Sequence, residues 1–260
     1  MSGRGSRSLG LLYFSGTGGT ALVAELLGEL LSESFDCEAA SIEDAASRRI
    51  AERAGFLVFL YPTYYLRPAP SMAQFVAALG PFDPPKGAYV VTTCELYTEN
   101  SLRRIALALR SRGLAVAGSK VVHAPGSDVT LAVPGALVPW WYRFEKGFPE
   151  KLRAIAREVA ALAGAGVVRE RIPGTKWYTP FTQALQVLFF NRFDAFRGRV
   201  RVLPDRCAAC GACAAMCARG AWSAGPALPA HDPERCELCG RCMHRCPRGA
   251  IVLLRALKDN

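Results

Sequence analysis

Eight of the ten cysteines in this 260-residue chain fall between Cys207 and Cys246, in two copies of one spacing. The runs are Cys207, Cys210, Cys213, Cys217 and Cys236, Cys239, Cys242, Cys246, each reading Cys-x-x-Cys-x-x-Cys-x-x-x-Cys. Two-residue steps let three thiolates wrap one cuboidal cluster at little cost in chain entropy, and in paired runs the fourth thiolate ligates the other cluster. One 4Fe-4S cluster is therefore expected on Cys207, Cys210, Cys213 and Cys246, and a second on Cys236, Cys239, Cys242 and Cys217. A module of about 55 residues is too small to be held by an apolar core alone, so ligation supplies much of its folding free energy. Pro247 follows Cys246 as the pattern expects, whereas Ala218 follows Cys217 where proline is usual. Disulfides would require an oxidising compartment, and two zinc sites would need neither four cysteines per run nor Pro247.

Once this module is removed, about 200 residues remain, enough to bury a core of their own. The expected division is a first domain over 1–165, a linker with an amphipathic helix over 166–198, and the cluster module over 199–260. The opening MSGRGSRSLG lacks the pattern of a secretory signal, and no window carries about 18 uninterrupted apolar residues, so a cytoplasmic protein without a transmembrane segment is expected. The formal charge is +10 and is concentrated late in the chain. Residues 1–170 carry 18 Lys+Arg against 16 Asp+Glu, a net of +2, whereas residues 171–260 carry 14 against 6, a net of +8. Each thiolate-ligated cluster brings a charge of about −2, so much of this basicity balances cofactors and is no signal for nucleic acid. The remainder suits an acidic protein redox partner, as it would a plain solvated surface.

The earlier part of the chain alternates strand-like and helix-like segments. Apolar runs at Ser8–Phe14, Phe35–Ile42, Gly55–Pro62, Gly87–Thr93 and Leu114–His123 have strand length. Helical periodicity follows the first (Ala21 to Leu31) and recurs near Ser71–Leu79, Asn100–Arg112 and Pro149–Ala163. Strands buried on both faces and alternating with helices predict an α/β fold: a doubly wound, five-stranded parallel sheet with its ligand at the carboxyl ends of the strands. A small α+β module follows it.

The first strand ends in Ser15, Gly16, Thr17, Gly18, Gly19 and Thr20. Small residues let backbone amides approach an anion, the hydroxyls add donors, and the following helix points its positive end at the charge. The loop has no P-loop lysine and is no Gly-x-Gly-x-x-Gly, which favours a monophosphate; an ordinary Gly/Ser turn is the plainer alternative. Ser15-x-Thr17-Gly18-x-Thr20 after a strand resembles the FMN phosphate loop of flavodoxins. With the cysteine runs behind it, the whole chain resembles the flavodoxin–ferredoxin fusion proteins of bacteria and archaea. That resemblance implies FMN, two 4Fe-4S clusters and electron transfer. It also implies that two further loops flank the flavin ring, here PTYYL (Pro62, Thr63, Tyr64, Tyr65 and Leu66) and TTCELYT (with Thr93, Cys94 and Tyr97). The residues themselves agree in part, since Tyr64, Tyr65 and Tyr97 lie past strand ends where aromatic faces can stack on a flavin or simply cap the sheet. TTCELYTEN has no glycine where that family's loop carries them, which puts bulk beside the ring. Cys94 reads as a buried inert thiol and Cys37 as core.

Between Ala124 and Phe148 periodicity gives way to Pro125, Pro134, Pro139, Trp140, Trp141 and Tyr142, either a flap over the flavin or packing against the sheet. After the linker, Pro180 opens a stripe of Phe181, Leu185, Leu188, Phe189, Phe193 and Phe196, with Arg192, Arg197, Arg199 and Arg201 near its end. It reads as a helix that clamps the two modules, in preference to a membrane-surface helix. His123, His231 and His244 have no ligand-like pairing. The favoured function is an electron carrier; the alternatives are an FMN-dependent reductase of a small substrate or quinone, and a dicluster ferredoxin with a flavin-free docking domain.

Overall fold

The computed structural model describes residues 8–95, 97–125, 146–166, 169–175, 177–182, 184, 196–225 and 227–254. They divide into two compact units, the first built from residues up to 175 and the second from 177 onward.

In the first unit, β1 (Ser8–Tyr13), β2 (Asp36–Ser41), β3 (Phe56–Tyr64), β5 (Lys86–Cys94) and β6 (Leu114–His123) form a parallel sheet in the order β2-β1-β3-β5-β6. That is the flavodoxin-like doubly wound order, with a switch point between β1 and β3. β1, β3 and β5 are almost wholly buried because helices cover both faces. α1 (Gly19–Ser32) and α5 (Phe148–Gly164) cover one face, where Val23, Leu27 and Leu31 share a core with Leu152, Ile155 and Val159. The other face holds α2 (Ala46–Arg53), α3 (Pro70–Ala77) and α4 (Ser101–Arg110), burying Ile50, Met72, Phe75, Ile105 and Leu109.

Two elements were not foreseen in the sequence. α2 buries only Ser47, Ile50 and Ala51, too short an apolar pattern to stand out. A two-residue strand, β4 (Arg67–Pro68), runs antiparallel to the end of β3, pairing Thr63 with Pro68 and Tyr64 with Arg67. Cys37 is half-buried on the edge strand β2, at the margin of the core. Burial raises its thiol pKa, a small effect of Asp36 adding to it and a bond with Ser32 opposing it.

The turn into β6 sets a close backbone approach. Gly113 has φ +77°, and a Cβ there would stand 2.3 Å from the carbonyl oxygen of Phe82. Gly113→Ala should therefore destabilise the first unit by about 2 to 4 kcal/mol, combining left-handed strain with a backbone clash. A urea midpoint equal to that of the unchanged protein would refute this.

The second unit is built on two short antiparallel pairs. β7 (Val200–Val202) pairs with β10 (Ile251–Leu253), and β8 (Trp222–Ser223) with β9 (Ala230–His231). α6 (Ala212–Ala215) and α7 (Arg241–Arg245) each begin inside a cysteine run. Among the described residues, no helix is long and apolar enough to cross a membrane.

Candidate functional site

The loop after β1 meets α1 at Gly18, whose φ of 111° is left-handed. Gly18 donates its N–H to Ser15 Oγ at 3.1 Å, closing the turn on itself. The first bond of the helical ladder runs from Leu22 N–H to Gly18 O at 3.0 Å, so the amides of Gly19, Thr20 and Ala21 stand ahead of it. α1 has no side-chain cap and no acidic residue in its first turn, and the space where a Cβ of Gly18 or Gly19 would sit is open to 4 Å. These features fit an anion: free amides, a positive helix end and room for a phosphate. Gly16 and Thr20 are buried, and Thr17 is half-buried.

Thr20 ties this loop to the next strand but one, its Oγ1 lying 2.8 Å from Thr93 Oγ1 in a buried contact. A second hydroxyl chain runs beside it. Thr63 donates to Ser101 Oγ at 2.9 Å, Ser101 donates to Tyr61 Oη at 3.3 Å, and Thr92 Oγ1 lies 2.8 Å from Thr63 Oγ1 and 3.0 Å from the Tyr61 carbonyl. Burial raises the Tyr61 pKa well above the ordinary phenol range, so the phenol stays protonated within this chain. These bonds fix the carboxyl ends of β3 and β5 next to the loop.

Of the predicted ring-loop residues, Pro62, Thr63, Tyr64 and Tyr65 are half-buried at the end of β3. Tyr65 and Leu66 have φ of 48° and 63°, making the turn into β4 with two bulky residues in the left-handed region. Tyr97 is 66% exposed, whereas Thr93 and Cys94 are buried under the sheet edge. Cys94 faces His123, its register partner on β6, with Sγ 3.8 Å from Nδ1; that nitrogen also lies 3.1 Å from the Glu95 carbonyl. This pairing was missed, because a cross-strand partner becomes visible only once the β5–β6 register is known. Leu96 and the Trp140–Trp141 segment lie outside the described residues, as do Leu185, Leu188, Phe189, Arg192 and Phe193 of the aromatic stripe.

In the second unit the cysteines line two cavities. Cys207, Cys210, Cys213 and Cys246 line one, and Cys217, Cys236, Cys239 and Cys242 line the other; Cys242 reaches both. The two halves are built alike. Ala209 and Leu238 are left-handed at φ 49° and 52°, which turns their N–H groups onto Cys207 Sγ and Cys236 Sγ, each at 3.4 Å. Ala221 and Ala250 donate to Cys217 Sγ and Cys246 Sγ, each at 3.3 Å. Backbone N–H groups aimed at sulfur are what a thiolate-held cluster needs, since they stabilise charge on the ligands. Among the described residues, no three His, Cys, Asp or Glu side chains converge so as to hold a single metal ion.

Burial raises the pKa of Cys213 and Cys236 and pushes Cys239 up to about 12 and Cys242 up to about 11. At Cys246 burial also acts upward, but N–H donors from Ala250, Arg248, Ile251 and Gly249 outweigh it and hold the thiol below its usual value. Iron bound here would displace protons from Cys213, Cys236, Cys239 and Cys242 and release them.

Residues 229–252, which include Cys236, Cys239, Cys242 and Cys246, match the family model described as a 4Fe-4S binding domain. The second unit thus carries an iron–sulfur binding domain. A flavodoxin-like fold followed by a 4Fe-4S binding domain is the order of a flavodoxin–ferredoxin fusion. No curated protein matches the chain. Among solved structures, the chain is similar to a flavodoxin from the domain Archaea (15% identity, 60% of this chain and 98% of that one, TM-score 0.45). It is also similar to the two-electron reduced flavodoxin of Megasphaera elsdenii (15%, 59% and 98%, 0.45) and to oxidised flavodoxin 1 from Bacillus cereus (16%, 59% and 97%, 0.43).

Proposed function

We propose that this chain is a cytoplasmic electron-transfer protein that holds two 4Fe-4S clusters and FMN and exchanges electrons with an acidic protein partner. The observation that carries this reading is that each of two cavities is lined by three cysteines of one run and the last of the other, with Cys242 reaching both. The clusters would sit on Cys207, Cys210, Cys213 and Cys246, and on Cys236, Cys239, Cys242 and Cys217. FMN is supported by the strand order, because sheets of this order bind a flavin at the β1/β3 switch point, and by the uncapped α1 terminus found there. When bound, FMN supplies a carrier of one or two electrons beside one-electron clusters.

The chain's own residues divide the work. Amides of Gly19, Thr20 and Ala21, with the Thr17 hydroxyl, hold the phosphate. Ser15 closes the loop, and the Thr20–Thr93 contact pins it to β5. Tyr64, Tyr65 and Tyr97 would flank the ring, with Cys94 a buried thiol at the end of β5 between them in sequence. The domains divide as 1–165, 166–198 and 199–260. The late excess of Arg and Lys remains partly unbalanced after two clusters are loaded, which draws an acidic partner to the second unit.

Anaerobic reconstitution followed by iron, sulfide and flavin assay tests the reading. About eight irons and one FMN per chain are expected. About four irons would remove the two-cluster claim, and protein that takes up no FMN would make the first unit a docking scaffold. Turnover of a quinone by the isolated protein would make it a reductase.

A further inference from the structure

The residue ahead of α4 is Asn100, whose side chain is among those best suited to start a helix by accepting an N–H of the first turn. It does not do so. Its backbone stands at φ −88° and ψ 14°, outside the extended region that a capping residue adopts, and α4 has no side-chain cap. Among the described residues nothing else takes up Asn100 Oδ1 either, although the atom is buried. A buried amide oxygen without a donor is costly, so one held in place points to a donor that the chain itself does not supply.

The residue is fixed from both sides. Glu99, 9% exposed and left-handed at φ 44°, makes the turn before it. After it, Ser101 is fully buried and donates its N–H to the Thr98 carbonyl at 2.8 Å. The Ser101 hydroxyl accepts from Thr63 and donates to Tyr61, and the Asn100 carbonyl accepts the Arg104 N–H at 2.8 Å. Thr63 belongs to PTYYL, and Asn100 is the last residue of TTCELYTEN. Asn100 therefore stands where the two predicted ring loops meet, at the carboxyl ends of β3 and β5.

The ligand edge that fits this position is an imide. The pyrimidine edge of an isoalloxazine carries one N–H between two carbonyls, and a primary amide presents an acceptor and donors side by side. We propose that Asn100 reads the pyrimidine edge of the bound flavin, its Oδ1 accepting the ring N3–H. The side chain forgoes capping α4 and is thereby kept for the ligand. The inference rests on the FMN reading above and adds to it a residue that recognises the ring, whereas the α1 terminus recognises the phosphate.

The test sets FMN and 3-methyl-FMN, in which a methyl group replaces the N3 hydrogen, against wild type and Asn100→Ser, by fluorescence titration of the full chain freed of flavin. Serine starts a helix as well as asparagine does but has no amide to reach the ring. Wild type should bind FMN about 3- to 10-fold more tightly than 3-methyl-FMN, the worth of one hydrogen bond. Asn100→Ser should bind the two flavins alike, its loss falling on FMN, while its urea midpoint without flavin stays at or above that of wild type. Asn100→Asp keeps an acceptor at the same place and should keep the preference for FMN; it carries the test if the serine variant does not fold, and loss of the preference there counts against the proposal. No preference in wild type, or the same preference in Asn100→Ser, overturns the proposal and leaves Asn100 a residue that only begins α4. Wild type that takes up neither flavin defeats the FMN reading itself, and this proposal with it.

Discussion

Cys217→Ala is expected to remove the cluster of the second cysteine run while leaving that of its own run intact. Cys217 lines the cavity of Cys236, Cys239 and Cys242, and Cys246 lines the cavity of the first run. The variant should reconstitute to about four irons per chain in place of about eight. Paired substitutions separate crossed from uncrossed ligation. Adding Cys236→Ala to Cys217→Ala should cost no more iron, because both thiols serve one cluster. Adding Cys207→Ala should remove the remaining four. Uncrossed ligation predicts the reverse pattern, with Cys207 and Cys217 redundant and Cys236 additive. Because each half is bonded to the other through its fourth ligand, Cys217→Ala should also loosen the whole second unit. What then joins the halves is the three-residue β7–β10 pairing and isolated bonds such as Arg241 to the Met216 carbonyl at 2.9 Å and Arg235 to the Gly220 carbonyl at 3.3 Å. Faster proteolysis of the second unit, with the first unit unaffected, is the companion result.

The cysteine runs were readable in advance because their geometry is local: two-residue steps confine three sulfurs whatever the rest of the chain does. The five parallel strands were readable for a related reason, being runs of apolar residues buried on both faces. The sequence was much less informative about the site edges. The Tyr65–Leu66 turn has no glycine to announce it, so β4 and the hairpin it makes with β3 look like plain loop. Among the described residues, the five non-glycine residues of positive φ are Tyr65, Leu66, Glu99, Ala209 and Leu238, and each lies in a loop at one of the two candidate sites. Such conformations persist only where surrounding contacts over-determine them, and propensity points away from them. α2 could have been caught from Asp44, whose carboxylate accepts the Ala46 N–H at 2.7 Å, a helix-start signal ahead of a weak apolar pattern. Cys94 with His123 and Trp222 with His231 depend on strand register. A list of lone histidines cannot supply that.

The second large effect is expected at the other end of the chain, where Gly19→Asp should abolish tight FMN binding without weakening the fold. Gly19 is the first residue of α1, its φ lies outside the left-handed region, and a Cβ there meets nothing within 4 Å. An aspartate at a helix start is favourable on its own account, worth about 0.3 to 1 kcal/mol through the helix dipole, and α1 has no acidic residue in its first turn to compete. For a bound phosphate the same carboxylate is a like charge a few ångströms away. At effective dielectrics between those of protein surface and water this costs about 2 to 4 kcal/mol, or roughly 30- to 1,000-fold in Kd. Titration of apoprotein by flavin fluorescence measures it, and Gly19→Asn supplies the uncharged control, which should lose little. Riboflavin, which has no phosphate, separates the possible causes: its weaker affinity should be the same in wild type and Gly19→Asp if the damage is electrostatic and confined to the phosphate. Equal loss for both flavins would mean that the ring pocket had moved. Wild-type FMN affinity in Gly19→Asp would mean that the phosphate does not sit on the α1 terminus, and the loop from Ser15 to Thr20 would revert to a turn that merely joins β1 to its helix.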